Sequence, residues 1–127
     1  MSKERLVHHI ALGTPRVEFL AQFYEEALGL ERLAVHFDDE NTLRSIWLRA
    51  GHTVLMVERS AEPIETDGSP VSPGWASVMF DAGADRIGLC ESVAAAGGHP
   101  DGQTDATSYF RDPDGHRFGV SSFAFEF

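Results

Sequence analysis

The chain has 127 residues, a hydrophobic fraction of 43% and a formal net charge of −10. This length and this hydrophobic fraction suit one domain with a real core, and they argue against disorder. The acidic charge repels phosphate backbones and anionic membrane surfaces, so we expect neither nucleic acid nor a membrane as a partner.

Cys90 is the single cysteine, which excludes an internal disulfide and suits a reducing compartment. The N-terminal segment "MSKERLV" has no apolar run of the kind that signal peptides carry. No stretch of the sequence is apolar over the length of a membrane span. These features predict a cytoplasmic protein.

The first half of the sequence predicts one helix among four strands. The strand "RLVHHIALG" comes first, and Thr14 followed by Pro15 predicts the start of the helix. Apolar residues recur at helical spacing from Val17 to Leu28, and Gly29 predicts the helix end. Three strands follow, in "LERLAVHFD", "TLRSIWLRA" and "HTVLMVER".

A proline-rich stretch at about 59–73 predicts a linker between two halves of the sequence. After it, the strand "WASVMFDA" precedes a second helix. The buried face of this helix is expected to carry Ile87, Cys90, Val93 and Ala94 at helical spacing. Burial would make Cys90 a packed thiol rather than a nucleophile.

The remaining elements repeat the order of the first half. A faintly marked strand near 99–104 is followed by a hairpin, in which the turn "DPDG" joins the strands "ATSYFR" and "HRFGVSSFAF". Twenty residues separate His9 from Gly29, and twenty separate Ser77 from Gly97. The sequence therefore predicts two matching modules, each with the order βαβββ.

Two motifs resemble those of the vicinal oxygen chelate superfamily, which includes glyoxalase I, bleomycin-resistance proteins, fosfomycin-resistance transferases and extradiol dioxygenases. The first motif is "HHIALGTPRVEFLAQFYEEALGL" and the second is "SYFRDPDGHRFGV". The resemblance implies a single glyoxalase-like α+β domain over 1–127, in which two βαβββ modules curl into a mixed-sheet cup. The modules would span about 6–58 and about 74–124. Because members of this family commonly form homodimers, the resemblance also implies a homodimer.

Metal-dependent members of the family carry four ligands inside the cup, on the first and last strands of each module. The resemblance places these positions at His9, Met56, Ser77 and Gly119. A thioether has little affinity for the ions usual in this family, and one imidazole alone cannot hold such an ion. We therefore expect the family's metal site to be absent and no cofactor to be bound. His9 is then either a base or an inert hydrogen-bonding group, and His8 should point to the opposite face of the strand.

Strand alternation places further side chains on the cup side. Glu58 and Asp81 would reach the rim of the cup. There they would form a displaced metal site, bind a cationic ligand or simply be solvated. His36 has no partner at a useful spacing, and His116 and Arg117 are expected to be exposed after the turn. The expected ligand-binding residues are Trp47, Val54, Met56, Glu58, Ser77, Met79, Asp81, Tyr109, Gly119 and Ser121. The same apolar residues also suit a filled core.

Three functions are compatible with the sequence. The first is a small-molecule-binding protein of the bleomycin-resistance kind, which sequesters an aromatic or cationic compound without a metal. The second is an enzyme, either a lyase, isomerase, transferase or dioxygenase-like protein, that uses relocated metal ligands or His9 as a base. The third is a structural or regulatory dimer whose cup is closed by Met56 and Met79. The acidic charge, the aromatic lining and the absent ligands favour the first function.

Overall fold

The computed structural model describes residues 5–60 and 76–125. These residues divide into two compact units. The first takes the described residues up to 63 apart from 26–28, and the second takes 26–28 and the described residues from 64 onward. None of the helices in the described ranges is long and apolar enough to cross a membrane.

Ten elements follow one another along the chain. Their bounds are β1 His9–Thr14, α1 Val17–Leu28, β2 Glu31–Phe37, β3 Leu43–Ala50, β4 Thr53–Arg59, β5 Val78–Asp81, α2 Arg86–Ala96, β6 His99–Gln103, β7 Thr107–Arg111 and β8 Arg117–Ser121. The two four-stranded sheets have the same strand order, β1-β4-β3-β2 and β5-β8-β7-β6. In each sheet the first strand runs parallel to the last. The predicted repeat of βαβββ units is therefore confirmed.

The proposed linker at 59–73 begins at the last residue of β4. Its residues from 61 onward lie outside the described part of the chain, as does the start of the predicted strand "WASVMFDA".

The helix α1 begins two residues later than the Thr14–Pro15 pair suggested. Arg16 is its N-cap residue, and Thr14 accepts a hydrogen bond from the backbone N–H of Arg16 at 2.9 Å. Because Thr14 is the last residue of β1, its hydroxyl stabilises the turn between strand and helix. At the other end Gly29 adopts a left-handed conformation with φ 69°, and its N–H donates to the carbonyl of Glu25, as predicted.

The core of the first unit lies on one face of its sheet. It is formed by apolar side chains of β3, β4 and α1 that are at most 5% exposed, namely Ile46, Leu48, Leu55, Val57, Val17, Leu20, Ala21, Phe23 and Tyr24. The register of β3 and β4 pairs Trp47 with Met56 on the opposite face of the sheet. Strand alternation thus separates packing positions from candidate site positions.

In the second unit the prediction for α2 was partly wrong. Val93 is fully buried and Cys90 is half-buried, but Ala94 is exposed and Ile87 is 74% exposed. Val93 and Ile87 lie about 120° apart around a helix, so both cannot face one sheet. The more buried stripe runs instead through the half-buried Leu89 to Val93. In the sheet of this unit, the rings of Phe110 and Phe118 stack with 5.7 Å between centroids.

A buried carboxylate holds the turn between β7 and β8. Oδ1 of Asp112 accepts from the backbone N–H groups of Asp114 and His116 at 2.9 and 3.0 Å, and Oδ2 lies 2.8 Å from Nδ1 of His116. The His116 side chain is only 9% exposed. Arg117 is 20% exposed and lies 3.2 Å from the carboxylate of Asp101. The expectation that His116 and Arg117 are exposed was therefore wrong, because the turn folds its side chains back onto itself.

The turn after β2 carries a carboxylate whose protonation is linked to folding. The backbone N–H of Thr42 and the guanidinium of Arg59, in that order, lower the pKa of Asp38 from its ordinary value of 3.8. A carboxyl group with a lowered pKa stabilises the fold above its ordinary pKa, and this contribution is lost as the pH falls through the folded value. We expect Asp38→Asn to lower the melting temperature at neutral pH, and the difference from wild type to vanish below pH 3.8.

Thermal unfolding at several pH values checks this expectation. Asp39→Asn is the matched control, because Asp39 is exposed and its replacement removes the same charge from the same turn. A difference between Asp38→Asn and wild type that stays constant down to acidic pH would show that the charge of Asp38 does not stabilise this turn.

Candidate functional site

The predicted site residues of the first unit share one face of its sheet. The β1–β4 register pairs His9 with Val54, and the β3–β4 register pairs Trp47 with Met56. Glu58 follows Met56 by two positions on β4 and therefore lies on the same face. The structure thus brings these five residues to one side of one sheet.

The ring of His9 is engaged by its neighbour His8. Their Nδ1 atoms are 2.9 Å apart, and the two rings meet edge to face with 5.1 Å between centroids. Both residues are exposed. The expectation that strand alternation separates them was wrong, because β1 begins only at His9 and His8 precedes the strand.

His36 is a site-face residue that the sequence analysis left unassigned. Its ring packs on Trp47 with 4.4 Å between centroids, and the β2–β3 register pairs it with Ser45. Nε2 of His36 and Nε1 of Trp47 are both buried without a hydrogen-bond partner among the described residues. One side of the Trp47 ring is therefore covered. The contact depends on the β2–β3 register, which shifts between Arg32 and Ala34 and between His36 and Phe37, and no signal in the sequence gives that register.

The second unit repeats the arrangement on its own sheet. The β5–β8 register pairs Met79 with Gly119 and Asp81 with Ser121, and the β7–β8 register pairs Tyr109 with Gly119. These five predicted residues therefore share one face, opposite the buried Phe118 and Val120 side of the sheet.

A cavity of about 450 Å³ opens at the C-terminal ends of β5 and β8. Three predicted site residues line it, Met79, Asp81 and Ser121. The other lining residues are Phe80, Thr104, Ala106, Thr107, Phe123 and Phe125. Asp81 is the charged residue of this lining, and its Oδ1 accepts from the backbone N–H of Gly83 at 2.8 Å. The hydroxyls of Thr107 and Ser121 are hydrogen-bonded at 2.7 Å.

Two phenylalanines of this cavity were assigned to the last strand by the sequence analysis. The structure ends β8 at Ser121, whose hydroxyl accepts from the backbone N–H of Phe123 at 3.2 Å. The rings of Phe123 and Phe125 then meet edge to face with 4.9 Å between centroids, and they are 60% and 73% exposed. Two large exposed rings beside a cavity supply a contact surface for an apolar ligand.

The family of the chain follows from its sequence. The sequence profile of the Glyoxalase/Bleomycin resistance protein/Dioxygenase superfamily matches residues 6–120. The chain belongs to this superfamily. None of the curated proteins matches the sequence.

Solved structures agree with this family in their fold. The chain is similar to the fosfomycin resistance protein FosX from Mesorhizobium loti, with a TM-score of 0.75, 15% identity and coverage of 98% of this chain and 95% of that chain. It is similar to TioX from Micromonospora sp. ML1, with a TM-score of 0.68, 17% identity and coverage of 92% and 98%. A glyoxalase family protein from Enterococcus faecalis has a TM-score of 0.71 at 20% identity, with coverage of 92% and 97%. Identities this low show the glyoxalase-like fold alone.

The residues that the resemblance places at the four metal-ligand positions do not fit a divalent ion. The hydroxyl of Ser77 donates to the carbonyl of Arg117 at 3.4 Å. A Cβ atom on Gly119 would lie 2.6 Å from Sδ of Met79 and 2.9 Å from the carbonyl oxygen of Ser108. Met79 therefore fills the space where a carboxylate side chain would begin. Over residues 5–60 and 76–125, no three His, Cys, Asp or Glu side chains are grouped to hold a metal ion.

The ring of Tyr109 already makes a cation–π contact with an arginine of the same unit. The guanidinium of Arg117 lies 4.3 Å from the centroid of that ring. Nε of Arg117 and Nε of Arg111 lie 3.2 and 3.0 Å from the same carboxylate oxygen of Asp101. This face of Tyr109 is therefore not open to a ligand cation, and the cavity beside Asp81 offers the better place for one.

Proposed function

We propose that this superfamily member is a small-molecule-binding protein that works without the family's metal site. The cavity at the ends of β5 and β8 is the observation that carries the proposal. Its volume of about 450 Å³ lies within the range of small-molecule pockets. Its lining is mostly apolar, with one carboxylate and a pair of hydroxyls, which is the pattern that fixes an organic ligand in one orientation.

The lining favours a ligand with a planar aromatic body and a basic group. Phe123 and Phe125 offer ring faces and edges, each worth roughly 0.5–1.5 kcal/mol beyond area burial. Met79 provides a flexible thioether wall that adapts to ring shape. The carboxylate of Asp81 attracts a cation, and the net charge of −10 raises the local concentration of cations around the protein.

Fluorescence anisotropy of two dyes tests this proposal. We expect proflavine, a planar cation, to bind more tightly than anilinonaphthalene sulfonate, an anion. Asp81→Asn should weaken proflavine binding by up to about fivefold, since an exposed ion pair contributes about 0.2–1 kcal/mol. Phe125→Ala should weaken the binding of both dyes, because it removes ring contact rather than charge.

Asp39→Asn is the control for charge, because it removes the same charge from an exposed position in the first unit. If Asp81→Asn and Asp39→Asn change proflavine binding equally, only the net charge matters and the cavity is not the binding site. Preference for the anionic dye would also contradict the proposal.

The enzyme alternative with relocated metal ligands finds less support. Among the residues that the structure describes, no three metal-binding side chains form a group, so His9, Glu58 and Asp81 do not form a displaced metal site there. The homodimer and the cytoplasmic location stay predictions, which light scattering and cell fractionation test.

A further inference from the structure

The histidine pair at the start of β1 has the geometry of a two-point metal ligand. The Nδ1 atoms of His8 and His9 are 2.9 Å apart, and the planes of their rings are 78° apart. Both residues are exposed, so an ion from solvent reaches both nitrogens without disturbing the core. Imidazole nitrogens are common ligands of divalent transition ions.

We propose that His8 and His9 chelate a divalent transition-metal ion through their Nδ1 atoms, with Cu(II) preferred. Metal–imidazole bonds are about 2.0–2.1 Å long, so two nitrogens at 90° around one ion are about 2.9 Å apart, and two at the tetrahedral angle are about 3.3 Å apart. The two nitrogens are 2.9 Å apart because they share a hydrogen bond, and this separation shows that the two rings can reach neighbouring positions of one square-planar or tetragonal ion. Cu(II) and Ni(II) favour that geometry, and Cu(II) heads the order of affinity.

The exchange of the hydrogen bond for a metal ion balances its protons. One neutral ring now donates its Nδ1–H to Nδ1 of the other. When the metal binds, that ring gives up the proton of Nδ1 to water and takes one from water on Nε2, so the lone pair of Nδ1 becomes free and the net proton count is unchanged. Both exposed side chains then rotate away from the hydrogen-bonded arrangement until their two Nδ1 lone pairs converge on the ion. Water completes the coordination, and the acidic chain attracts the cation.

This site shares His9 with the ligand positions that the resemblance assigns to the superfamily, and it differs from them in its second ligand, His8. The superfamily's ligand positions include His9 but not His8, and Met56 stands at the position that follows His9 in that set. A requirement for His8 therefore separates the two sites by experiment. The inference does not depend on the proposed function, because no organic ligand takes part in it.

Isothermal titration of the full chain with copper(II) chloride, in parallel with nickel(II) chloride, tests the proposal. We expect one Cu(II) per chain to bind more tightly than Ni(II). His8→Ala and His9→Ala should each weaken Cu(II) binding by about tenfold or more, because each removes one of two ligands. His99→Ala is the matched control, since His99 is an exposed histidine of the second unit, and it should leave the affinity unchanged.

Electron paramagnetic resonance of the copper adduct gives an independent measure. The wild type should show hyperfine splitting from two imidazole nitrogens, and His8→Ala should show it from one. Loss of binding in His9→Ala but not in His8→Ala would assign the ion to the superfamily's site and overturn the proposal. Unchanged binding in both variants would place the ion elsewhere and overturn it equally. His8→Gln and His9→Gln serve as second variants if an alanine variant fails to fold.

Discussion

Replacing Asp112 with alanine is expected to lower the free energy of unfolding by about 3–5 kcal/mol, because the change leaves several buried donors without an acceptor. Asp112 is 1% exposed. It accepts from two backbone N–H groups and lies 2.8 Å from Nδ1 of His116. The turn that joins β7 to β8 would then lose its internal support.

Urea unfolding measures this change, and Asp105→Ala is the matched control. Asp105 is an exposed aspartate of the same unit, so its replacement should alter the free energy of unfolding by no more than about 0.5 kcal/mol. His116→Ala should cost less than Asp112→Ala, because the carboxylate keeps its two backbone donors. An Asp112→Ala variant as stable as Asp105→Ala would show that the buried carboxylate does not hold the turn.

Local signals explain why the order of elements was predictable. Gly29 and Gly97 both end helices in the left-handed conformation, with φ 69° and 110°, and glycine adopts that conformation without a steric penalty. Each half of the chain marks its strands by alternation and its turns by glycine or proline. Because both halves of the chain carry these signals in the same order, the sequence predicted the repeat, including the faintly marked sixth strand.

The orientation of α2 could not be predicted because its sequence offers little contrast. The segment "RIGLCESVAAA" ends in three alanines, which suit either a buried or an exposed face. The choice therefore depended on Ile87, and that residue is exposed. By comparison, α1 repeats apolar residues at helical spacing from Val17 through Leu20 to Tyr24, so its buried face was correctly predicted, although Phe19 lies off this stripe and is 49% exposed.

Strand alternation predicted which face each candidate site residue occupies, but not what its side chain contacts. Arg117 covers the ring of Tyr109 because it lies two residues from Gly119 on β8, opposite the end of β7. His36 reaches Trp47 across a strand pair whose register shifts between Arg32 and Ala34. Such contacts depend on register and on bulges, which no local pattern in the sequence specifies.

The end of β8 is the other feature that the sequence did not predict, and it decides the candidate site. The pattern "SSFAFEF" continues the alternation of the strand, so it predicts a longer strand. The structure ends β8 at Ser121 and places Phe123 and Phe125 beside the cavity. Alternation marks a strand with one buried face, but it does not supply the neighbouring strand with which that strand must pair.

Gly119→Ala is expected to lower the free energy of unfolding by about 1–3 kcal/mol, which is the usual cost of overpacking. The new Cβ atom would lie 2.6 Å from Sδ of Met79 and 2.9 Å from the carbonyl oxygen of Ser108. Alanine in place of a strand glycine would otherwise gain about 0.5–1 kcal/mol in conformational entropy. Gly13→Ala is the matched control, because glycine 13 also lies in a strand and its Cβ would come no closer than 3.2 Å to Ser60.

Shortening Met79 separates the two contacts that Gly119→Ala creates. Met79→Ala removes the flexible thioether but leaves the carbonyl of Ser108, so the double variant should recover part of the lost stability, with a coupling of about 0.5–3 kcal/mol. Additive effects in this double-mutant cycle, measured by urea unfolding, would show that Met79 does not occupy the space over Gly119. The same geometry decides whether the superfamily's carboxylate can be restored. Gly119→Glu alone must displace Met79, so we expect it to unfold more easily than Gly119→Glu combined with Met79→Ala.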